Sequence, residues 1–203
     1  MSQNENQTYK YVPVDHVHMI EASLARKECA GDSIYPIGVV LVKDDVIVAR
    51  AGNGFNRGSA VKHVCPRVVL ECPSLTGYEL CSLHDAPGHA EKMLMDLATE
   101  QGIDPAGCDV YMCGHWWCCD SCWKAMVDAK INHVYIVDDA QDRFSRNNVF
   151  AETLSGNRTD VRVEQQENEY HVYVPESTEP VFIFEADSPE LAERRLKNVI
   201  RQL

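Results

Sequence analysis

Cys119 and Cys122 form a Cys-x-x-Cys pair inside GHWWCCDSCWKAM (residues 114–126), a stretch with three cysteines in five positions. The tetrapeptide opens a segment of helical periodicity, so both sulfurs can face one point while the helix N-terminus favours their thiolate form. Thiolates arranged in this way suit zinc, which takes four protein ligands in structural sites and three plus a water in catalytic ones. About thirty residues upstream, PGHAEKMLMDLA (87–98) opens another helix with His89 and Glu91. The His89 imidazole is a candidate third ligand. Two residues on, the Glu91 carboxylate can stand beside a metal-bound water without coordinating, accept a proton and pass it to a leaving group.

Composition narrows the setting. The chain of 203 residues, 45% hydrophobic, fits one globular domain with room for an appendage. Its first ten residues, MSQNENQTYK, are polar, and no stretch approaches the roughly 18 apolar residues of a membrane span, so a cytoplasmic protein is expected. Nine cysteines in that compartment read as metal ligands, catalytic groups or core thiols rather than as a disulfide framework. A formal charge of −12 argues against nucleic acid as partner and favours a small substrate.

Periodicity alternates between helix and strand. Residues 14–30 carry Val17, Ile20, Ala22, Leu24 and Ala25 at roughly helical spacing and stop at Gly31-Asp32-Ser33. IGVVLV (37–42) and VIVARA (46–51) flank Lys43-Asp44-Asp45 and read as a β-hairpin. A helix over about 89–101, the strand CDVYMC (108–113), a helix over about 119–130 and the strand HVYIV (133–137) follow. This order predicts an α/β sandwich. Toward the C-terminus, EYHVYVP and VFIFEA alternate like strands, and Ser188-Pro189 starts a helix with Leu191, Leu196, Val199, Ile200 and Leu203 near one face. That piece is too small to fold alone and is assigned to packing, oligomer contact or regulation.

His-x-Glu followed about thirty residues later by Cys-x-x-Cys resembles the signature of the cytidine/deoxycytidylate deaminase superfamily. The resemblance extends from the first helix to the strand VRVEQ (161–165). IGVVLVKDDVIVARAGNGFNRG (37–58) is similar to the family's first hairpin, which ends in a Gly-aromatic-Asn turn (here Gly54-Phe55-Asn56), and CWKAMVDAKINHVYIV (122–137) is similar to its second zinc-site helix and following strand. The resemblance implies a three-layer α/β/α sandwich with a mixed sheet of about five strands over residues 1–166, with a β-hairpin and helix appended over 167–203. It implies one catalytic zinc on His89, Cys119 and Cys122, Glu91 as proton shuttle, the Ala90 backbone against the base and Asn56 on the sugar or base. It also implies a homo-oligomer. Two departures stand out: Cys118 occupies the position before the first zinc cysteine where the family usually has Pro, and the preceding loop, with His115, Trp116 and Trp117, is about two residues longer. Trp116 and Trp117 either wall the pocket or anchor that loop, and His115 is either a phosphate contact or a solvated residue.

The segment 56–88 mixes Gly, Pro, His and Cys with little periodicity, and a loop this long is usually functional. Its His63, Cys65, Cys72, Cys81 and His84 resemble the residues that hold a second, structural zinc in many bacterial and phage deoxycytidylate deaminases. Four metal bonds would offset the loop's conformational entropy. Reduced thiols in a Cys-rich loop are the other reading. The expected activity is hydrolytic deamination of a cytosine-type nucleotide, dCMP foremost. The alternatives are a tRNA adenosine deaminase, whose family often has a pair like Asn56-Arg57, a deaminase of another aminated heterocycle (guanine, a pterin or a riboflavin precursor), and a non-catalytic zinc-binding interaction module.

Overall fold

In the computed structural model, residues 8–54, 63–73, 76–81, 83 and 86–203 are described here. In chain order they form β1 (Thr8–Val12), α1 (Val17–Glu28), β2 (Gly38–Lys43), β3 (Val46–Gly52), α2 (Pro66–Val69), α3 (Ala90–Glu100), β4 (Asp109–Cys113), α4 (Asp120–Asp128), β5 (His133–Val137), α5 (Ala140–Arg143), α6 (Arg146–Thr153), β6 (Arg162–Gln166), β7 (Glu169–Tyr173), β8 (Phe182–Glu185) and α7 (Pro189–Ile200). A mixed five-stranded sheet runs β1-β5-β4-β2-β3, parallel between β1, β5 and β4 and antiparallel from β4 through β2 to β3. Asp44 and Asp45 both adopt positive φ, 49° and 67°, the backbone a two-residue hairpin turn demands and one that Asp tolerates.

Gly38 through Val42 in β2 are all buried, which requires cover on both faces of the sheet. Helix α1 lies over β2, β4 and β3, and α3 packs on β3 and β2 beside α4. Burying a run such as Val39-Val40-Leu41 contributes about 1.5–3 kcal/mol for each side chain. Helix α1 approaches with His18, Met19, Ala22, Ala25 and Arg26, whereas Val17, Ile20 and Leu24 stay exposed. The apolar spacing in the sequence therefore mixed two faces, and the contact is made by Met19 with the small Ala22 and Ala25. The approach is close: a Cβ at Gly38 would lie 2.0 Å from the Arg26 nitrogen and 2.3 Å from the Ala22 oxygen. Arg26 is itself buried, donating from Nε to the Pro36 carbonyl (3.0 Å) and from both Nη atoms to Glu152 (3.1 and 3.2 Å), which ties α1 to α6.

Two strands differ from expectation. The polar opening of the chain contributes β1, which fills the outer place of the main sheet. The strand around Arg162–Gln166, grouped from sequence with the main domain, pairs instead with β7 in a separate antiparallel sheet, β6-β7-β8. That sheet and α7 bury Val172, Phe184, Ala186, Ala192 and Val199 together with Val64 and Val69 from around α2. The start of α7 follows the sequence, with Ser188 Oγ accepting from the Leu191 N–H at 3.2 Å. The segment 56–88 is not wholly irregular either: besides α2, it holds 3₁₀ turns at Tyr78–Leu80 and Ala86–Gly88.

Because α1 has no room to retreat from β2, Gly38→Ala is expected to destabilise the fold by about 1–3 kcal/mol or more, read as a lower urea midpoint. The same change at Gly102, whose Cβ would meet nothing within 4 Å, should cost less despite its positive φ.

Candidate metal centre

His89 is the residue immediately before α3 and Cys119 the residue immediately before α4, each with extended backbone, and Cys122 lies in the first turn of α4. The sheet edge sets their convergence. At the end of β3 the buried Asn53 accepts the Ile37 N–H at 2.8 Å and donates to the Tyr35 carbonyl and to Asp32. The next residue, Gly54, donates its N–H to the Gly88 carbonyl at 2.9 Å, holding the chain directly before His89. On the other side, Gly114 leaves β4 with φ +112°, and a Cβ there would lie 2.5 Å from the Pro36 carbonyl oxygen, so only glycine fits that turn.

The His89 Nδ1 atom stands 3.4 Å from the Cys119 sulfur and 3.4 Å from that of Cys122. Zinc bonds of about 2.3 Å to sulfur and about 2.0 Å to nitrogen give N···S separations of roughly 3.5 Å in a tetrahedron, so this donor set fits zinc. Among the described residues it is the one group of three or more His, Cys, Asp or Glu whose ligand atoms all lie within 4.8 Å of one another. Burial tends to raise the Cys119 thiol, but hydrogen bonds from Ser121 (Oγ at 3.1 Å), Cys122 and His89 together hold it below the ordinary cysteine value. Cys122 is fully buried and is held above that value by burial and the Glu91 charge. The two thiols are thus shifted in opposite directions, Cys119 down and Cys122 up.

Glu91, only 4% exposed in the first turn of α3, is outside the ligand group yet close enough for its charge to act on Cys122 and Cys118. A buried carboxylate beside a metal centre and not spent on coordination is available to move protons. The Cys118 thiol packs 4.0 Å from the Met112 sulfur and is kept protonated, first by burial and then by Glu91, as a packed thiol rather than a ligand. Ala90, the first residue of α3, is fully buried.

Around the mouth, His115 stacks on Trp116 (4.5 Å between centroids, 9° between planes), lies 5.7 Å from the Tyr35 ring and accepts the Trp117 N–H at Nδ1. Burial, with a smaller contribution from His89, lowers its pKa. Trp117 is 48% exposed and free to meet a ligand. Asn56, Arg57 and His84 lie outside the described residues. Of the remaining loop residues, His63 Nε2 is 3.2 Å from the Cys81 sulfur, and a hydrogen bond from Cys81 lowers the Cys65 thiol to about 7. Cys72 is apart from them, against Gly77. Tyr9, whose hydroxyl accepts the Cys118 N–H at 2.7 Å, was not foreseen; the alternation of β-formers in TYKYV was the available signal.

The family model for the cytidine and deoxycytidylate deaminase zinc-binding region matches residues 13–138. No curated protein matches the chain. Among solved structures, a chain from biochemical and structural studies of A-to-I editing by tRNA:A34 deaminases at the wobble position of transfer RNA is 26% identical over 49% of this chain, with a TM-score of 0.31. The present chain spans 58% of that chain's length. The apo dCMP deaminase from the cyanophage S-TIM5 is 21% identical over 64% of this chain and 87% of its own, with a TM-score of 0.37.

Metal analysis of protein purified without added zinc is expected to find zinc at His89, Cys119 and Cys122 that is lost in His89→Ala and Cys119→Ser but retained in Glu91→Gln. A second equivalent, lost in Cys65→Ser/Cys81→Ser together with a lower Tm, would mark the loop residues as a further site.

Proposed function

Because the chain belongs to the cytidine and deoxycytidylate deaminase zinc-binding family, we propose that it is a zinc-dependent hydrolase removing the amino group of a cytosine-type base on a small nucleotide, dCMP foremost. The observation that carries this reading is Glu91: it is buried beside the His89, Cys119 and Cys122 group and is left out of it. A structural zinc clip or a non-catalytic module has no use for a buried, unliganded carboxylate at that position. When bound, zinc supplies a water acidic enough to act as nucleophile near neutral pH. His89, Cys119 and Cys122 would hold it. Glu91 would take a proton from the attacking water at its carboxylate and return it to the departing ammonia, with C4 of the base as the reacting atom. Trp117, Ala90 and Asn56 are the candidate contacts to base and sugar.

A charge of −12 disfavours a polyanionic substrate and means that a nucleotide phosphate needs a local cation. Arg143 is occupied: Asp139 accepts from its Nε at 2.9 Å and its Nη2 at 2.7 Å. Of the cations near the site in sequence (Arg57, Lys62, Arg67, Arg143 and Arg146), Arg57, beside Asn56, is the preferred phosphate contact. The exposed row of Val17, Ile20 and Leu24 on α1 supports a homo-oligomer. No helix among the described residues is long and apolar enough to cross a membrane.

Glu91→Gln should keep its zinc and its fold while deamination falls by roughly 10²- to 10⁴-fold, measured as ammonia release. Across a panel of nucleosides, nucleotides and RNA, dCMP should be the best substrate. Arg57→Ala should then lower kcat/KM for dCMP by roughly ten- to a hundredfold and leave any activity on deoxycytidine in place, whereas Arg143→Ala should not change the ratio. A preference for the free nucleoside, or for an adenine or guanine substrate, would refute the dCMP assignment.

A further inference from the structure

The metal-binding turn is gripped from outside its own helix. Cys118 and Trp123 flank the two cysteine ligands in sequence, one just before Cys119 and one just after Cys122, and the same side chain touches both. The hydroxyl of Tyr9 accepts the Cys118 backbone N–H at 2.7 Å, and the Tyr9 ring lies 4.7 Å from the Trp123 ring at 37°. Tyr9 stands on β1, an outer strand whose register is set by pairing with β5, Tyr9 opposite Val134. Cys118 is only 6% exposed, so its N–H has no ready access to water and depends on this acceptor. The N–H needs an acceptor because residue 118 is not proline, the one residue type that brings no donor. Burial and the neighbouring Cys118 keep the Tyr9 hydroxyl protonated, so its oxygen accepts as a neutral group and adds no anion beside Glu91.

We propose that Tyr9 is the positioning residue of the zinc centre: by accepting the Cys118 N–H and bracing Trp123, it fixes the backbone on either side of Cys119 and Cys122 and thereby sets the spacing of the two sulfurs about His89. Tyr9 touches neither metal nor substrate. It acts through the turn, in the manner of outer-shell partners that orient metal ligands, whose loss typically costs about 10- to 100-fold in metal affinity. The inference rests on the assignment of His89, Cys119 and Cys122 as zinc ligands, and it is independent of which base the protein deaminates.

The test is a pair of substitution cycles read by zinc affinity, from competition with a chromophoric chelator, and by the thiolate-to-cobalt charge-transfer bands of cobalt-loaded protein. Tyr9→Phe keeps the ring against Trp123 and removes the hydroxyl, which accepts the Cys118 N–H and also hydrogen-bonds the Cys118 thiol, a second contact that the Cys118→Ala background takes away. In the natural background and in Cys118→Ala, which retains the N–H, it should weaken zinc binding by about 10- to 100-fold and shift the cobalt bands. In Cys118→Pro, which has no N–H to satisfy, the same change should alter affinity by less than about twofold. Equal losses in all three backgrounds would mean that the hydroxyl does not serve the Cys118 N–H, and the proposal fails. It also fails if Tyr9→Phe leaves affinity and cobalt spectrum unchanged in the natural background. Should Cys118→Pro not fold, the Cys118→Ala background and the cobalt spectrum still decide, because a general loss of packing lowers the metal-free unfolding midpoint without moving those bands. A wild-type protein that binds no zinc would overturn the functional reading itself. One that binds zinc and ignores Tyr9→Phe overturns the positioning role alone.

Discussion

Two helices begin at one point, and most of the architecture can be read as a means of holding them there. The starts of α3 and α4 each bring the positive end of a helix dipole to this point, and two such ends facing one another repel. Neither carries a side-chain cap: the residues in the capping positions are His89 and Cys119. Negative charge between the two ends would remove the conflict, and the Cys119 and Cys122 sulfurs, each 3.4 Å from His89 Nδ1, are placed to carry it. The hydrogen bond from Gly54 to Gly88, the glycine turn at residue 114 and the close seating of α1 on Gly38 then act as fasteners that keep the two starts from drifting apart.

Most of this was legible in the sequence because it is written in local terms. Hairpin β2-β3, helices α3 and α4, and strands β4 and β5 follow from period and punctuation, and the ligands follow from the chemistry of a Cys-x-x-Cys and a His-x-Glu at helix starts. What was not legible depends on distant partners. TYKYV alternates β-formers but is too short to announce a strand by itself, and its pairing with β5 makes it one. The face of α1 was misread because Val17, Ile20 and Leu24 are the larger apolar residues, yet β2 brings glycine to the contact and selects Ala22 and Ala25 instead. Arg162–Gln166 has strand composition, but composition cannot say which sheet it joins.

The C-terminal unit has a clearer role in three dimensions than in sequence. Gln202, buried on the turn that ends α7, accepts the Cys65 N–H at 2.7 Å, Arg194 pairs with Glu71 at 3.1 Å, and Val64 and Val69 enter the unit's apolar cluster. The segment before α3, rich in His and Cys, thus owes part of its order to residues more than a hundred positions later. Arg201 also donates to the Leu154 carbonyl, so the same helix end is tied to α6.

The outer strand β1 has a consequence for the order in which the molecule is assembled. Thr8 pairs with His133, about 125 positions later. At a synthesis rate of roughly 5–20 residues per second, β1 waits some 6–25 s for a partner to be made. During that interval β2, β3 and α1 can meet through short-range contacts, while β1 remains an unpaired strand. Closing a loop of that span is among the slow events of folding. The turn around Cys119 and Cys122 is therefore held by a strand 109 positions before it, one that finds its own place only after β5 has been made.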